Sequence, residues 1–139
     1  MNNPVRLVSV YSVKDAKEIL YRLLSRRPKR VNISHRKMPS PRQHAAFVRS
    51  KPYQAWYLIR TVSGEFAGGI YLSKAGEIGI FLFKEHQGRG YGKQAVEALM
   101  KKHRSVKRFL ANVSPNNPHS INFFKELRFK HVQNTYERL

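Results

Sequence analysis

A glycine-rich segment, His86-Gln-Gly-Arg-Gly-Tyr-Gly92, constrains this chain more than any other feature. The apolar run that ends at Phe83 predicts a strand immediately before it. An apolar stripe at helical spacing follows it and consists of Ala95, Val96, Leu99 and Met100. A strand, a glycine turn and a helix N-terminus together favour anion binding. Glycines let the backbone approach a phosphate, and the N–H groups and helix dipole attract its oxygens.

Two common phosphate-binding loops do not fit this segment. A P-loop requires G-x4-G-K-[ST], whereas Lys93 is followed by Gln94 and the glycine spacing differs. A dinucleotide-binding fold requires G-x-G-x-x-G after its first parallel strand. Gly88, Gly90 and Gly92 give G-x-G-x-G instead, after three strands that we predict to be antiparallel. The segment therefore predicts a phosphate site of another kind.

Hydrophobic periodicity places the other elements. Strands are predicted at residues 5–10, 55–62, 66–73, 77–83, 109–113 and 129–139. Helices are predicted from Asp15 to just before Pro28, near residues 42–50, after the glycine-rich segment, and from Pro118 to near Leu127. For the second helix, Ala45, Ala46 and Val48 are the expected inner face. This order indicates a mixed α/β fold, and we expect a single domain over residues 1–139.

Composition narrows the class of protein. A length of 139 residues fits one domain, and 41% hydrophobic residues suffice for a core. The absence of cysteine excludes disulfides, thiolate metal sites and cysteine nucleophiles. No apolar run reaches about 18 residues and the first residues lack an apolar signal region, so we expect a cytoplasmic protein without a membrane span. The six histidines show no metal-binding spacing, so no metal is expected.

Positive charge is the other unusual feature. The chain has 27 Lys+Arg against 8 Asp+Glu, a formal net charge of +19, and no acidic residue lies between Glu18 and Glu65. Such a field attracts polyanions and phosphorylated ligands. Nucleic acid is therefore a candidate partner, and the alternative is a charged, solvated surface that binds nucleic acid only non-specifically.

The glycine-rich segment and its flanks carry a resemblance to a known family. Residues 87–92 resemble the Q/R-x-x-G-x-G/A signature of the GCN5-related N-acetyltransferase (GNAT) family. Residues 77–86 resemble the family's fourth strand, and residues 117–124 resemble its N-x-x-A/S-x-x-F-Y segment. The resemblance implies a GNAT-like fold with a central mixed, mostly antiparallel sheet and helices on both faces. It also implies transfer of an acetyl group from acetyl-CoA, the cosubstrate, to a primary amine.

The resemblance further implies which residues bind the coenzyme. The backbone at Leu82 and Lys84 would hold the pantetheine arm. The pyrophosphate would be surrounded by Gln87, Gly88, Arg89, Gly90, Gly92 and Lys93. The channel would be completed by Asn117, Ser120 and Phe124. Asn117 has an alternative role, an Asx turn ahead of Pro118.

The general base and the general acid of the transfer each have candidate residues. Glu77 resembles the glutamate that acts as general base in many relatives, and its alternative is a solvent-facing carboxylate after the turn at Gly76. The family often has a tyrosine where this chain has Phe124, which cannot donate a proton. The candidate replacements are Tyr91, Ser120, Tyr136 or water, and the alternative is that the thiolate leaves without a proton donor.

In the resembled fold, the first two helices and the loop between them shape the acceptor site. That region lies largely in the stretch without acidic residues and contains Arg36, Lys37, Arg42 and Arg49, which predict an anionic acceptor. It could be a nucleotide-linked amino sugar, an amino acid or a nucleic-acid-linked amine. The alternative function is a basic nucleic-acid-binding module that binds CoA without turnover. We expect a monomer or homodimer, and we expect Trp56 and Tyr57 to pack within the sheet rather than stack on bases.

Overall fold

The structure is a computed structural model that describes residues 4–26 and 38–139. In these ranges the strands are β1 (Arg6–Ser9), β2 (Ala55–Arg60), β3 (Phe66–Leu72) and β4 (Ile78–Leu82). The helices are α1 (Ala16–Ser25), α2 (Pro41–Arg49), α3 (Tyr91–Lys102) and α4 (Pro118–Glu126). Two expected acceptor residues, Arg36 and Lys37, lie outside the described residues, as does the expected helix stop at Pro28.

The four strands form one antiparallel sheet in the order β1-β2-β3-β4. Tight turns at Gly64 and Gly76, both with positive φ, connect the last three strands as the predicted meander. A parallel bridge joins Glu77 to Leu110, which adds the mixed character expected of the sheet. The predicted mixed α/β fold is confirmed.

Alternation along β2 explains why helices cover both faces. Trp56 and Leu58 pack with the apolar side chains of α1 and α2. Tyr57 and Ile59 point the other way and pack with Ala95, Val96 and Leu99 of α3. Because successive strand residues face opposite sides, one buried strand contributes to two hydrophobic clusters.

Two predicted strands are wrong. The segment 109–113 makes only the bridge at Leu110, whose N–H donates to the Gly76 carbonyl (2.9 Å) and whose carbonyl accepts from the Ile78 N–H (2.7 Å). Residues 129–139 form no strand. Polar residues occupy both alternating faces of this tail, so it has no apolar face to bury, and Val132 and Tyr136 are exposed.

The inner face predicted for α2 is wrong at Ala46, which is exposed. The buried residues of this helix are His44 and Val48. The helix begins at Pro41 behind a capping box, in which the Ser40 hydroxyl and the Gln43 side chain each accept from the other's backbone N–H. This start fixes the helix phase, and residues four apart then share the inner face.

Candidate active site

The glycine-rich segment forms the turn that leads from β4 into α3. Gly88 and Gly90 have φ of +78° and +82°, in the left-handed region that glycine adopts without a Cβ penalty. Gly90 is the N-cap of α3 and provides no side-chain cap for the first N–H groups of the helix. Open space surrounds Gly88, where an added Cβ would meet no atom within 4 Å. An uncapped helix N-terminus behind a bare backbone turn is suited to binding an anion.

This turn opens into a cleft of about 1550 Å³ that continues past β4 to α1 and α2. Within residues 82–93, the expected coenzyme residues that line it are Leu82, Lys84, Gln87, Gly88, Gly90, Gly92 and Lys93. Arg89 is exposed and is not part of the lining. The Gln87 side chain donates to the Leu82 carbonyl (3.2 Å), so it ties the turn to the end of β4.

The cleft exists because β4 and the segment after Leu110 diverge. Their backbones are bridged at Glu77 and Leu110, where β4 begins. Ile78, Ile80 and Leu82 of β4 then line one side of the cleft, and Asn112, Val113 and Ser114 line it as well. An extended ligand inserted here could bond to the strand edge as an added strand does.

Glu77 lies half-buried in the cleft and is held from two sides. Its Oε1 accepts from the Ser73 hydroxyl (3.2 Å), which in turn accepts from the Glu77 backbone N–H (2.9 Å). Its Oε2 accepts from the Asn112 side-chain amide. Neither partner was predicted from the sequence. The short turn between Ser73 and Glu77 is a signal that could have identified Ser73. Asn112 is brought alongside by the parallel bridge between Glu77 and Leu110, which no local pattern indicates.

The α4 residues also line the cleft. Asn117 is buried and is the N-cap of α4, where its Oδ1 accepts from the Ser120 N–H (3.2 Å). Its Nδ2 donates to the Ser120 hydroxyl (2.9 Å). Asn117 thus has a local role, as its alternative foresaw, but it caps α4 through the N–H three residues on and does not form an Asx turn. Phe124 is buried and packs edge-on against Phe123 and Phe129.

The three hydroxyl side chains proposed as proton donors do not all lie in the cleft. Tyr91 is the first residue of α3, is half-buried and lines the cleft, as does Ser120. The Tyr91 ring lies 6.0 Å from the ring of His86. Tyr136 is 89% exposed in the tail and is not part of the lining.

The basic residues expected around the acceptor do not face the cleft where the structure describes them. Arg42 and Arg49 are both exposed, and neither belongs to the lining. Arg49 borders a separate hollow beside residues 10–18. The reason is the phase of α2, which turns His44 and Val48 inward and the arginines outward. Instead, the cleft at α2 and β2 is lined by aromatic rings, among them Trp56.

Trp56 and Tyr57 are both buried, so the expected packing role is confirmed. Tyr57 faces α3, where its hydroxyl lies 2.8 Å from His103 Nε2. Burial raises the pKa of Tyr57 above its ordinary value. Burial, with a smaller contribution from Lys102, lowers the pKa of His103, so this pair is neutral at neutral pH.

Within residues 4–26 and 38–139, no group of three or more His, Asp or Glu side chains could hold a metal ion. No helix in the same ranges is long and apolar enough to cross a membrane.

Comparison with known proteins now identifies the family. Residues 18–129 match the sequence profile of the acetyltransferase (GNAT) family. A comparison with curated protein sequences gave no significant match. The profile match covers most of the chain, and the fold and glycine turn agree with it. The chain belongs to the GNAT family and is an acetyltransferase.

Solved structures share the fold at low sequence identity. A domain from Methanocaldococcus jannaschii is 17% identical, with a TM-score of 0.82, and the match covers 98% of this chain and 94% of that one. Spermidine N-acetyltransferase from Vibrio cholerae, in complex with CoA and spermine, is 13% identical with a TM-score of 0.76. That match covers 90% of this chain and 80% of the other. A dodecameric structure of the Vibrio enzyme is 12% identical with a TM-score of 0.74, covering 99% and 86%.

Proposed function

We propose that this acetyltransferase transfers the acetyl group of acetyl-CoA to a primary amine that enters the cleft from the α1 and α2 side. One observation carries the proposal. The uncapped N-terminus of α3 and the carboxylate of Glu77 line the same continuous cleft, along opposite ends of β4. A phosphate-binding end and a proton-accepting end are what such a transfer requires.

The residues at the α3 end fit the coenzyme. The backbone of residues 88–93 would surround the pyrophosphate, and Lys93 adds a cation within the lining. The pantetheine arm would lie along β4 toward Glu77, past Leu82 and Asn117. When bound, the coenzyme supplies an activated acetyl thioester. Arg89 projects outside the cleft lining and would contribute mainly long-range charge.

Glu77 is the proposed general base. An amine is protonated at neutral pH and must lose a proton before its nitrogen can attack the thioester carbonyl. Ser73 and Asn112 fix the two carboxylate oxygens, so the carboxylate has a defined orientation toward the cleft. The N–C bond forms, the C–S bond breaks, and the proton of the ammonium passes to Glu77 directly or through water.

The sulfur that leaves as a thiolate needs a proton. Phe124 cannot supply one, and the candidates are the hydroxyls of Tyr91 and Ser120, which line the cleft. The Ser120 hydroxyl already accepts from Asn117, and its own O–H is still available to donate. We therefore assign proton donation to one of these two groups.

The described lining of the cleft contains few of the basic residues from which an anionic acceptor was expected. Of the four supporting residues, Arg42 and Arg49 do not line the cleft. Arg26, the C-cap residue of α1, is a cation that does line the cleft. Nucleic acid remains a candidate partner through the net charge of +19 alone.

Thiol release from acetyl-CoA with a panel of amines tests the proposed function. The panel contains amino sugars with and without phosphate, amino acids, polyamines, arylalkylamines, nucleic acids and basic peptides. Acetylation of at least one primary amine is expected. CoA binding without turnover on any of them would favour the alternative, a binding module of the same fold.

A further inference from the structure

Four aromatic side chains line the cleft between α2 and the middle of the sheet: Phe47, Tyr53, Trp56 and Tyr71. We call this set the aromatic wall. Tyr53 and Tyr71 stack with ring centroids 3.9 Å apart and planes 5° apart. Trp56 meets Tyr53 edge-on at 4.8 Å and Phe47 at 6.0 Å. Each ring contacts another ring of the set, so the four form one packed aromatic cluster on this side of the cleft.

The wall adjoins the carboxylate of Glu77. The Tyr71 ring covers Gly79, where an added Cβ would overlap the ring at 2.1 Å. Gly79 lies two residues along the chain from Glu77 and therefore on the same side of the strand. Ser73, two residues after Tyr71, donates to Glu77. These contacts place Tyr71, one member of the wall, beside the carboxylate that the amine must reach.

Charge on this side of the cleft argues against an acceptor with several ammonium groups. The described lining residues of α1 with its C-cap, of α2 and of residues 53–56 include the cation Arg26 and no carboxylate. The other lining carboxylates are Glu85, in the turn before the glycine-rich segment, and Glu126, at the end of α4. A second or third ammonium beside the wall would be desolvated without a carboxylate partner, which is costly.

We propose that the acceptor is an arylalkylamine, a primary amine joined by a short linker to an aromatic ring. This inference rests on the proposed acetyl transfer and adds the class of its acceptor. The ring packs on the aromatic wall, where aromatic contacts favour it beyond the area buried. The amine, one linker away, reaches Glu77.

Trp56 is the only tryptophan of the chain, so its fluorescence reports directly on the wall. The CoA-saturated protein is titrated with 2-phenylethylamine, propylamine, spermidine and glucosamine 6-phosphate at one ionic strength. We expect a saturable change with 2-phenylethylamine and a Kd at least about 10-fold lower than for the other three. Equal or tighter binding of any of the three, or no saturable change with 2-phenylethylamine, would overturn the proposal.

The variant Tyr53→Leu tests the wall itself, and Tyr136→Leu makes the same substitution at the exposed tail. Tyr53→Leu is expected to raise the Kd for 2-phenylethylamine about 10-fold and to leave the Kd for CoA unchanged, whereas Tyr136→Leu changes neither. If Tyr53→Leu does not fold, Phe47→Leu replaces it. A folded wall variant that binds 2-phenylethylamine as the wild type does would refute the role of the wall.

These titrations need no turnover, so the two proposals fail separately. If the acetyl-transfer proposal is wrong, the protein will not bind CoA or will release no thiol with any amine. If the acceptor proposal is wrong, the amine Kd values, measured with or without CoA, will contradict the expected order.

Discussion

The side-chain amide of Asn112 donates a hydrogen bond to Glu77 Oε2 and so connects β4 with the segment that diverges from it. The two residues lie on opposite sides of the point where the cleft opens. This contact gives Glu77 a fixed orientation, and the proposed chemistry depends on that orientation.

Replacing the proposed base should reduce the rate in a pH-dependent way. Glu77→Gln retains the shape of the side chain but cannot accept a proton, and general bases contribute about 10²–10⁴-fold. We expect kcat near neutral pH to fall by about 10²-fold or more, with a smaller loss as the pH approaches the pKa of the amine. Glu97→Gln, an exposed change on α3, is the control. A Glu77→Gln pH–rate profile of wild-type shape would exclude this role.

Asn112 should act by positioning Glu77. Asn112→Ala removes the amide that holds Oε2, so we expect kcat to fall about 10-fold while the KM for acetyl-CoA stays constant. The smaller effect follows because Ser73 still holds Oε1. Asn116→Ala provides the same substitution at an exposed loop residue nearby. Equal kcat values for the two variants would contradict the positioning role.

Two glycine variants distinguish the cost of backbone strain from a loss of coenzyme binding. Gly90→Ala and Gly64→Ala both place a Cβ in the left-handed region, which costs about 1–2 kcal/mol. We expect similar losses in the free energy of unfolding, measured in urea. Only Gly90→Ala should weaken CoA binding, measured by calorimetry, because Gly64 lies in the turn between β2 and β3. Unchanged CoA affinity in Gly90→Ala would remove the turn from the coenzyme site.

The Tyr57–His103 pair should make stability depend on pH. The pKa of His103 is lowered in the folded state, so protonation favours unfolding. The neutral His103 side chain contributes to stability above pH 6.5, its ordinary pKa. This contribution to stability is lost as the pH falls toward the lower pKa that His103 has in the folded state. The wild type should therefore lose more stability between about pH 7 and 5 than His103→Gln. His131→Gln, an exposed control, should follow the wild type, and parallel curves for all three would refute the assignment.

Local sequence signals predicted the helices whose first turns or apolar faces are encoded within one short segment. The start of α4 at Pro118 was expected, since proline suits the first helical position. A helix was also expected after the glycine-rich segment, and α3 begins at Tyr91, inside that segment. The inner face of α3 also followed from helical spacing. The family assignment rested on the same segments and is confirmed.

Contacts between distant segments were not predictable in this way. Asn112 and Glu77 are 35 residues apart, and nothing in either local pattern indicates that they meet. The aromatic wall joins α2 to two strands, and each of its residues individually resembles ordinary packing. The error at residues 129–139 has a different cause. A run of extended-type residues is not a strand unless an apolar face or a paired edge holds it.

The most direct test of the central claim compares acetyl-CoA with S-acetylpantetheine, which carries the same thioester without the pyrophosphate or the nucleotide. Calorimetric titration of the wild-type chain with each gives the two Kd values. If the turn at residues 87–93 binds the pyrophosphate, acetyl-CoA should bind at least about 100-fold more tightly, a difference of about 2.7 kcal/mol. Equal Kd values would contradict the account, because the glycine turn would then contribute nothing to coenzyme recognition.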